Sequence, residues 1–93
     1  MNKLSDKEIH DQLNLLSGWS IRDGKLAKDF TFDSFKDALA FIVKVGLESE
    51  LQGHHPELFN VYNKVQVRLV THDAGGTVTE KDFNLAKAID GVR

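Results

Sequence analysis

The sequence predicts an α+β domain: a four-stranded antiparallel sheet with three helices packed on one face, in the order αββαββα. Two pairs of short apolar runs are each joined by a tight-turn signal, Asp23-Gly24 in the first and Asn63-Lys64 in the second. A long segment with helical spacing separates the pairs, and a capping pattern marks the start of each helical segment. Hairpins alternating with helices favour an antiparallel sheet covered on one side, leaving the other side to water or another subunit.

The first helix begins at Leu4-Ser5-Asp6-Lys7-Glu8-Ile9, with Ser5 as N-cap, Glu8 closing the capping box and Leu4 stapling onto Ile9. Ile9, Leu13 and Leu16 share its inner face, and Gly18 supplies a left-handed residue for its end. Trp19 to Arg22 is the first strand and Lys25 to Phe32 the second. Lys28 falls on the same face as Leu26, Phe30 and Phe32, which an edge position would excuse. Ser34 caps the longest helix, whose face of Phe35, Ala38, Leu39, Ile42, Val45 and Gly46 is expected on the sheet. Phe41, Val43 and Leu47 project elsewhere. A surface helix apolar around most of its circumference points to self-association through this helix, unless the first helix covers it. Gly53 and Pro56 stop it. Leu58 to Tyr62 and Val65 to Val70 follow as strands, Thr71 to Gly76 as a loop, and Thr79 with Asp82 as the capping box of a last helix with Ala86 and Ile89 inward.

Ninety-three residues allow one domain, 1–93, with a modest core. With 41% hydrophobic and 28% charged residues, the chain is expected to fold as an ordinary globular protein. A formal charge of −2 argues against nucleic acid as a direct ligand. The polar start of the chain and the lack of a span of about 20 apolar residues argue against a signal peptide and a membrane segment, so a cytoplasmic location is expected. Without cysteine there are no disulfides, thiolate metal sites or thiol nucleophiles. Imidazole, carboxylate and hydroxyl chemistry remain.

Three of the four histidines, His54, His55 and His72, fall in one stretch behind Glu50. Histidine is the side chain whose unperturbed pKa suits proton transfer near neutral pH. Glu50 lies four residues before His54, within reach if the helix runs through Gln52, and a carboxylate in contact with an imidazole fixes its tautomer. In the second hairpin the end of one strand returns beside the start of the other. Residues 54–56 and 71–73 are therefore expected to converge at one end of the sheet, beside the last helix's N-terminus. Spacing alone leaves three readings: a proton-transfer site, a solvated turn beside a proline, or a three-histidine zinc site. Adjacent residues seldom point at one ion, which disfavours the last. His10 reads as an ordinary surface residue, Tyr62 as core or site, and Asp82 as a helix cap.

At these residues the chain resembles the pterin-4a-carbinolamine dehydratases. The pattern is Glu50, then His54-His55-Pro56, Tyr62, His72 and Asp82, within HHPELFNVYNKVQVRLVTHDAGG and TEKDFNLAKAID. The resemblance implies removal of water from a 4a-hydroxy-tetrahydropterin, giving quinonoid dihydropterin for reduction to the tetrahydro cofactor of aromatic amino acid hydroxylases. It implies no metal and no cofactor. Carried over, His54 and His72 form an acid–base pair, His55 chiefly binds substrate and shares the proton work, and Glu50 orients the first histidine. Pro56, Thr71, Asp73 and Ala74 would line the pterin pocket. A homodimer or homotetramer is implied, with a non-catalytic binding or dimerisation role as the alternative. The chain departs from the family at Leu58, where tryptophan is common, at Gly53, where a polar residue is frequent, and in a loop one residue longer at Thr77-Val78.

Overall fold

The computed structural model describes residues 2–93, in the order α1 (Asp6–Leu13), β1 (Ser20–Arg22), β2 (Lys25–Thr31), α2 (Phe35–Gln52), β3 (Glu57–Val61), β4 (Lys64–Leu69), a short 3-10 turn at His72–Ala74, and α3 (Glu80–Val92). The strands form one antiparallel sheet in the order β1-β2-β4-β3, so the hairpins meet through β2 and β4. The α+β architecture is the expected one.

Leu26, Phe30, Val65, Val67 and Leu69 are buried on one sheet face, where they pack with Ala38, Phe41 and Val45 of α2 and with Phe83, Leu85, Ala86 and Ile89 of α3. Ile9, Leu13 and Leu16 pack against the rim of this core. The opposite face carries ion pairs of Asp29 with Arg22 and Arg68, and of Lys25 with Glu57.

The caps at Ser5, Ser34 and Thr79 form as the sequence indicates, with full capping boxes at Ser5–Glu8 and Thr79–Asp82. α1 ends earlier than expected, at Leu13; Gly18 does adopt a positive φ of 83°, but in the connection beyond the helix. In the second hairpin the two-residue turn is Tyr62-Asn63, one position before the expected Asn63-Lys64, because Val61 pairs with Lys64. Tyr62 takes φ 52°, and the Asn60 amide holds the turn by donating to the carbonyls of Tyr62 and Lys64.

Two expectations are corrected. β2 is an interior strand, so an edge does not explain Lys28. Its ammonium instead donates to Asp90 Oδ1 and the Ser17 carbonyl and sits over the rings of Trp19 and Phe30. The inward stripe of α2 is Ala38, Phe41, Val45 and Ser49, whereas Phe35, Leu39 and Gly46 are exposed. Phe41 belongs inside because its ring packs against Phe30 and Phe32, at centroid separations of 4.7 and 5.0 Å. That rotation leaves a diagonal apolar ridge of Phe35, Leu39, Val43, Leu47 and Leu51 facing outward, which α1 does not cover.

Candidate active site

The end of α2 sets the first part of the site. Gly53 adopts the left-handed conformation, φ 62°, and the N–H groups of Gly53 and His54 bond back to the carbonyls of Glu50 and Ser49. The reversal turns the two histidines apart. His54 is buried and its Nε2 lies 2.5 Å from Asp82 Oδ1 in the first turn of α3. His55 is exposed and its Nε2 contacts Glu50 Oε1. The expected Glu50 contact to His54 is therefore not formed. The left-handed cap swings His54 toward α3 and returns His55 over the last turn of α2.

Asp82 is fully buried and every oxygen lone pair it uses is directed. Oδ2 accepts from the Thr79 N–H at 2.8 Å and from the Thr71 hydroxyl at 2.9 Å. Thr71 has one hydroxyl proton, so in its 2.7 Å contact with Thr79 the Thr79 hydroxyl is the donor. The carboxylate also sits at the N-terminus of α3, where the helix dipole favours an anion. An accepting Oδ1 requires the proton of His54 on Nε2, which leaves Nδ1 as the ring's acceptor.

The end of β4 supplies the opposite wall. Thr71 bridges to Thr77, and the 3-10 turn His72–Ala74 closes on Gly75, at φ 75°. The result is a cavity of about 180 Å³ lined by Gly53, His54, His55, Val70, Thr71, His72, Asp73 and Lys81. The expected convergence of residues 54–56 with 71–73 holds for the three histidines, Thr71 and Asp73. Glu50, Pro56 and Ala74 do not line the cavity; Glu50 stands behind His55. Tyr62, at the tip of the second hairpin, and Leu58, on β3, are also outside its lining. Sequence reasoning missed Lys81 and Val70 as wall residues. It read Asp82 as a cap, and Asp82 is both that cap and the partner of His54. Among the described residues no cluster of three or more His, Cys, Asp or Glu side chains is arranged to hold a metal ion.

The arrangement can move protons: it joins one imidazole with a fixed tautomer to two more accessible ones around a small polar cavity. Fold and site together define an α+β protein in which the end of the second helix, the end of the last strand and the start of the third helix frame a histidine-lined cavity. The family model for pterin 4 alpha carbinolamine dehydratase matches residues 2–92, and the chain belongs to that family. It is 45% identical over 92 residues to a protein of Christiangramia forsetii named "Putative pterin-4-alpha-carbinolamine dehydratase", covering 99% of this chain and 94% of the relative. A Sulfurisphaera tokodaii protein of the same name is 47% identical over 90 residues, covering 97% and 96%. The crystal structure of a transcriptional coactivator/pterin dehydratase from Brucella melitensis superposes with a TM-score of 0.91 at 38% identity, covering 98% of each chain. A pterin dehydratase-like protein described as a RuBisCO assembly factor in the alpha-carboxysome shares the fold, with a TM-score of 0.65 at 23% identity over 80% of this chain and 84% of its own. No helix among the described residues is long and apolar enough to cross a membrane.

Proposed function

We propose that the protein dehydrates 4a-hydroxy-tetrahydropterins by histidine acid–base catalysis, serving the recycling of a tetrahydrobiopterin-type cofactor used by an aromatic amino acid hydroxylase. The observation that carries the reading is the buried Asp82–His54 pair opening onto a cavity shared with His55 and His72. A cavity of about 180 Å³ is below the roughly 300–1,000 Å³ of drug-sized pockets and suits a bicyclic ring better than an extended chain.

The chemistry asks little beyond proton transfer. The N5 lone pair forms the N5=C4a bond as the C4a–O bond breaks. A protonated imidazole gives its proton to the departing oxygen, making water, and a neutral imidazole takes the proton from N5. His54 and His72 form this pair, with Nδ1 of His54 as the exchanging atom; His55, backed by Glu50, binds the ring and shares the proton work. Asp73 and the backbone of Thr71 to Asp73 meet the amide edge. Groups of this kind contribute about 10² to 10⁴ in rate. The protein acts in the cytoplasm as a homodimer or homotetramer built through α2.

The test is the absorbance decay of enzymatically generated 4a-hydroxy-tetrahydropterin, with wild type and the His54→Ala/His72→Ala variant. Acceleration by the wild type, lost in the folded variant, is the expected result. Equal acceleration by both refutes the histidine mechanism. No acceleration by folded wild type refutes the dehydratase reading and favours a binding or dimerisation module, for which the exposed apolar ridge of α2 is the supporting observation.

A further inference from the structure

Lysines in this fold follow a rule with one exception. Those that are partly buried, Lys25 and Lys28, place their ammonium groups on carboxylates, of Glu57 and Asp90. Those without a partner among the described residues, such as Lys36, Lys44 and Lys87, are exposed. Lys81 is partly buried, and its ammonium has neither a hydrogen bond nor an ion pair among the described residues; only its backbone N–H is engaged, by Thr79 Oγ1. It is also the one lysine or arginine side chain in the lining of the histidine cavity.

Its position on α3 is unfavourable for a cation. Thr79 is the N-cap, so Lys81 stands in the first turn, where the helix dipole is positive. Residues three and four ahead, Asn84 and Leu85, offer no carboxylate to compensate, and the adjacent Glu80 and Asp82 point away from it around the helix. Asp82 is besides fully committed to His54, Thr71 and Thr79. The ammonium is thus partly desolvated, set against a dipole and without a direct partner among the described residues, the Asp73 carboxylate being the one acid that shares its cavity wall. It is placed to meet negative charge that comes with the reaction.

We propose that Lys81 is a further catalytic residue, whose ammonium donates a hydrogen bond to the 4a-oxygen as it departs. The assignment rests on the dehydratase reading above. As C4a–O breaks, the electron pair leaves with oxygen and negative charge grows there until an imidazolium delivers its proton. Lys81 keeps its own proton throughout and stabilises that oxygen, as fixed donors stabilise developing oxyanions in acyl transfer. Such a contact strengthens toward the transition state, so it acts on kcat more than on KM.

The experiment compares wild type, Lys81→Met and Lys81→Arg in turnover of 4a-hydroxy-tetrahydropterin, in binding of 7,8-dihydrobiopterin by fluorescence titration, and in thermal melts. Dihydrobiopterin has no 4a-oxygen. Lys81→Met should lower kcat about 100-fold, with KM and dihydrobiopterin affinity within about threefold of wild type; Lys81→Arg should recover part of kcat. The melting temperature of Lys81→Met should be unchanged or higher, because a cation leaves the first turn. A kcat within about threefold of wild type overturns the assignment. So does a parallel loss of dihydrobiopterin affinity, which marks a ring anchor, or a fall in melting temperature, which marks a structural role. Wild type that binds dihydrobiopterin and turns substrate over, with an indifferent Lys81→Met, removes Lys81 alone; wild type that does neither removes the dehydratase reading and this assignment together.

Discussion

Replacing Asp82 by asparagine changes one atom and should reverse the role of a histidine. In the wild type Asp82 Oδ1 accepts from His54 Nε2, and Oδ2 accepts from Thr71 and Thr79. An asparagine that keeps its oxygen toward Thr71 and Thr79 presents its NH₂ to His54. Two donors cannot face each other in a buried site, so His54 moves its proton to Nδ1 and accepts at Nε2. The nitrogen toward the cavity then donates where it previously accepted. The hydrogen-bond count survives, and the α3 cap with it. What is lost is charge assistance to the bonds the carboxylate accepts, chiefly that from His54, worth about 1.5–3 kcal/mol against about 1 for its neutral replacement, while removal of a buried charge offsets the weakening of the other two. The net cost is about 0.5–2 kcal/mol, or roughly 2–16 °C in melting temperature for a domain of this size. Activity should suffer far more, about 10² to 10⁴ in kcat, as expected when a catalytic imidazole is held in the wrong tautomer.

The assay is therefore double. Nitrogen chemical shifts of His54 report which ring atom carries the proton, and the absorbance decay of the 4a-hydroxy substrate reports turnover, both at a temperature where the variant is folded. The reasoning fails if Asp82→Asn keeps the proton on Nε2, or if the tautomer switches while kcat stays within about threefold. Asp82→Ala is a poorer probe. It leaves the buried Thr79 N–H, Thr71 hydroxyl and His54 N–H without their partner, and a cost of several kcal/mol threatens the fold itself.

Other consequences follow from exposed groups. Glu50→Gln should change stability by less than about 0.5 kcal/mol in urea melts and lower kcat/KM by less than about tenfold, since the Glu50–His55 pair is exposed; a loss as large as that of Asp82→Asn would make Glu50 the principal partner. The Arg22 guanidinium, against some desolvation and with help from Arg68, holds the Asp29 carboxyl below its ordinary value of 3.8. Because the folded-state pKa is the lowered one, the stabilisation is present above 3.8 and fades as pH falls through the folded value. Asp29→Asn should therefore cost about 0.5 kcal/mol at pH 7, discounted for exposure, with the gap closing in acid; a gap that widens on acidification contradicts the pairing. Leu47→Glu, on the outward ridge of α2, should turn an oligomer into monomers in sedimentation without lowering helix content; an unchanged mass rejects association through that ridge.

Local codes carried most of the fold. The capping boxes at Ser5 and Thr79 and the Asp23-Gly24 turn are short-range signals, legible because the groups that satisfy each other lie within four residues. What misled was phase. α2 is apolar nearly all round, so periodicity alone did not decide whether Phe41 or Leu39 faces the sheet. Phe30 and Phe32, supplied by another element, decide it. Lys28 is the same case in reverse: an apparent break in strand alternation is satisfied by Asp90, sixty-two residues away.

The site divides along the same line. The convergence of His54, His55 and His72 follows from hairpin geometry and was visible as spacing, but the pairing of carboxylates with imidazoles was not. Counting four residues from Glu50 to His54 asks that the helix run through Gln52, which it does, but it also takes His54 to leave in the helical direction. Gly53 ends it in a left-handed turn, and a single residue at φ 62° reassigns both partners, giving His55 to Glu50 and freeing His54 for Asp82. Another residue at position 53 would make that turn strained unless it were asparagine or aspartate. The glycine therefore bears on the proposed catalysis through backbone geometry: by setting the direction in which His54 leaves the helix, it sets which carboxylate holds its tautomer.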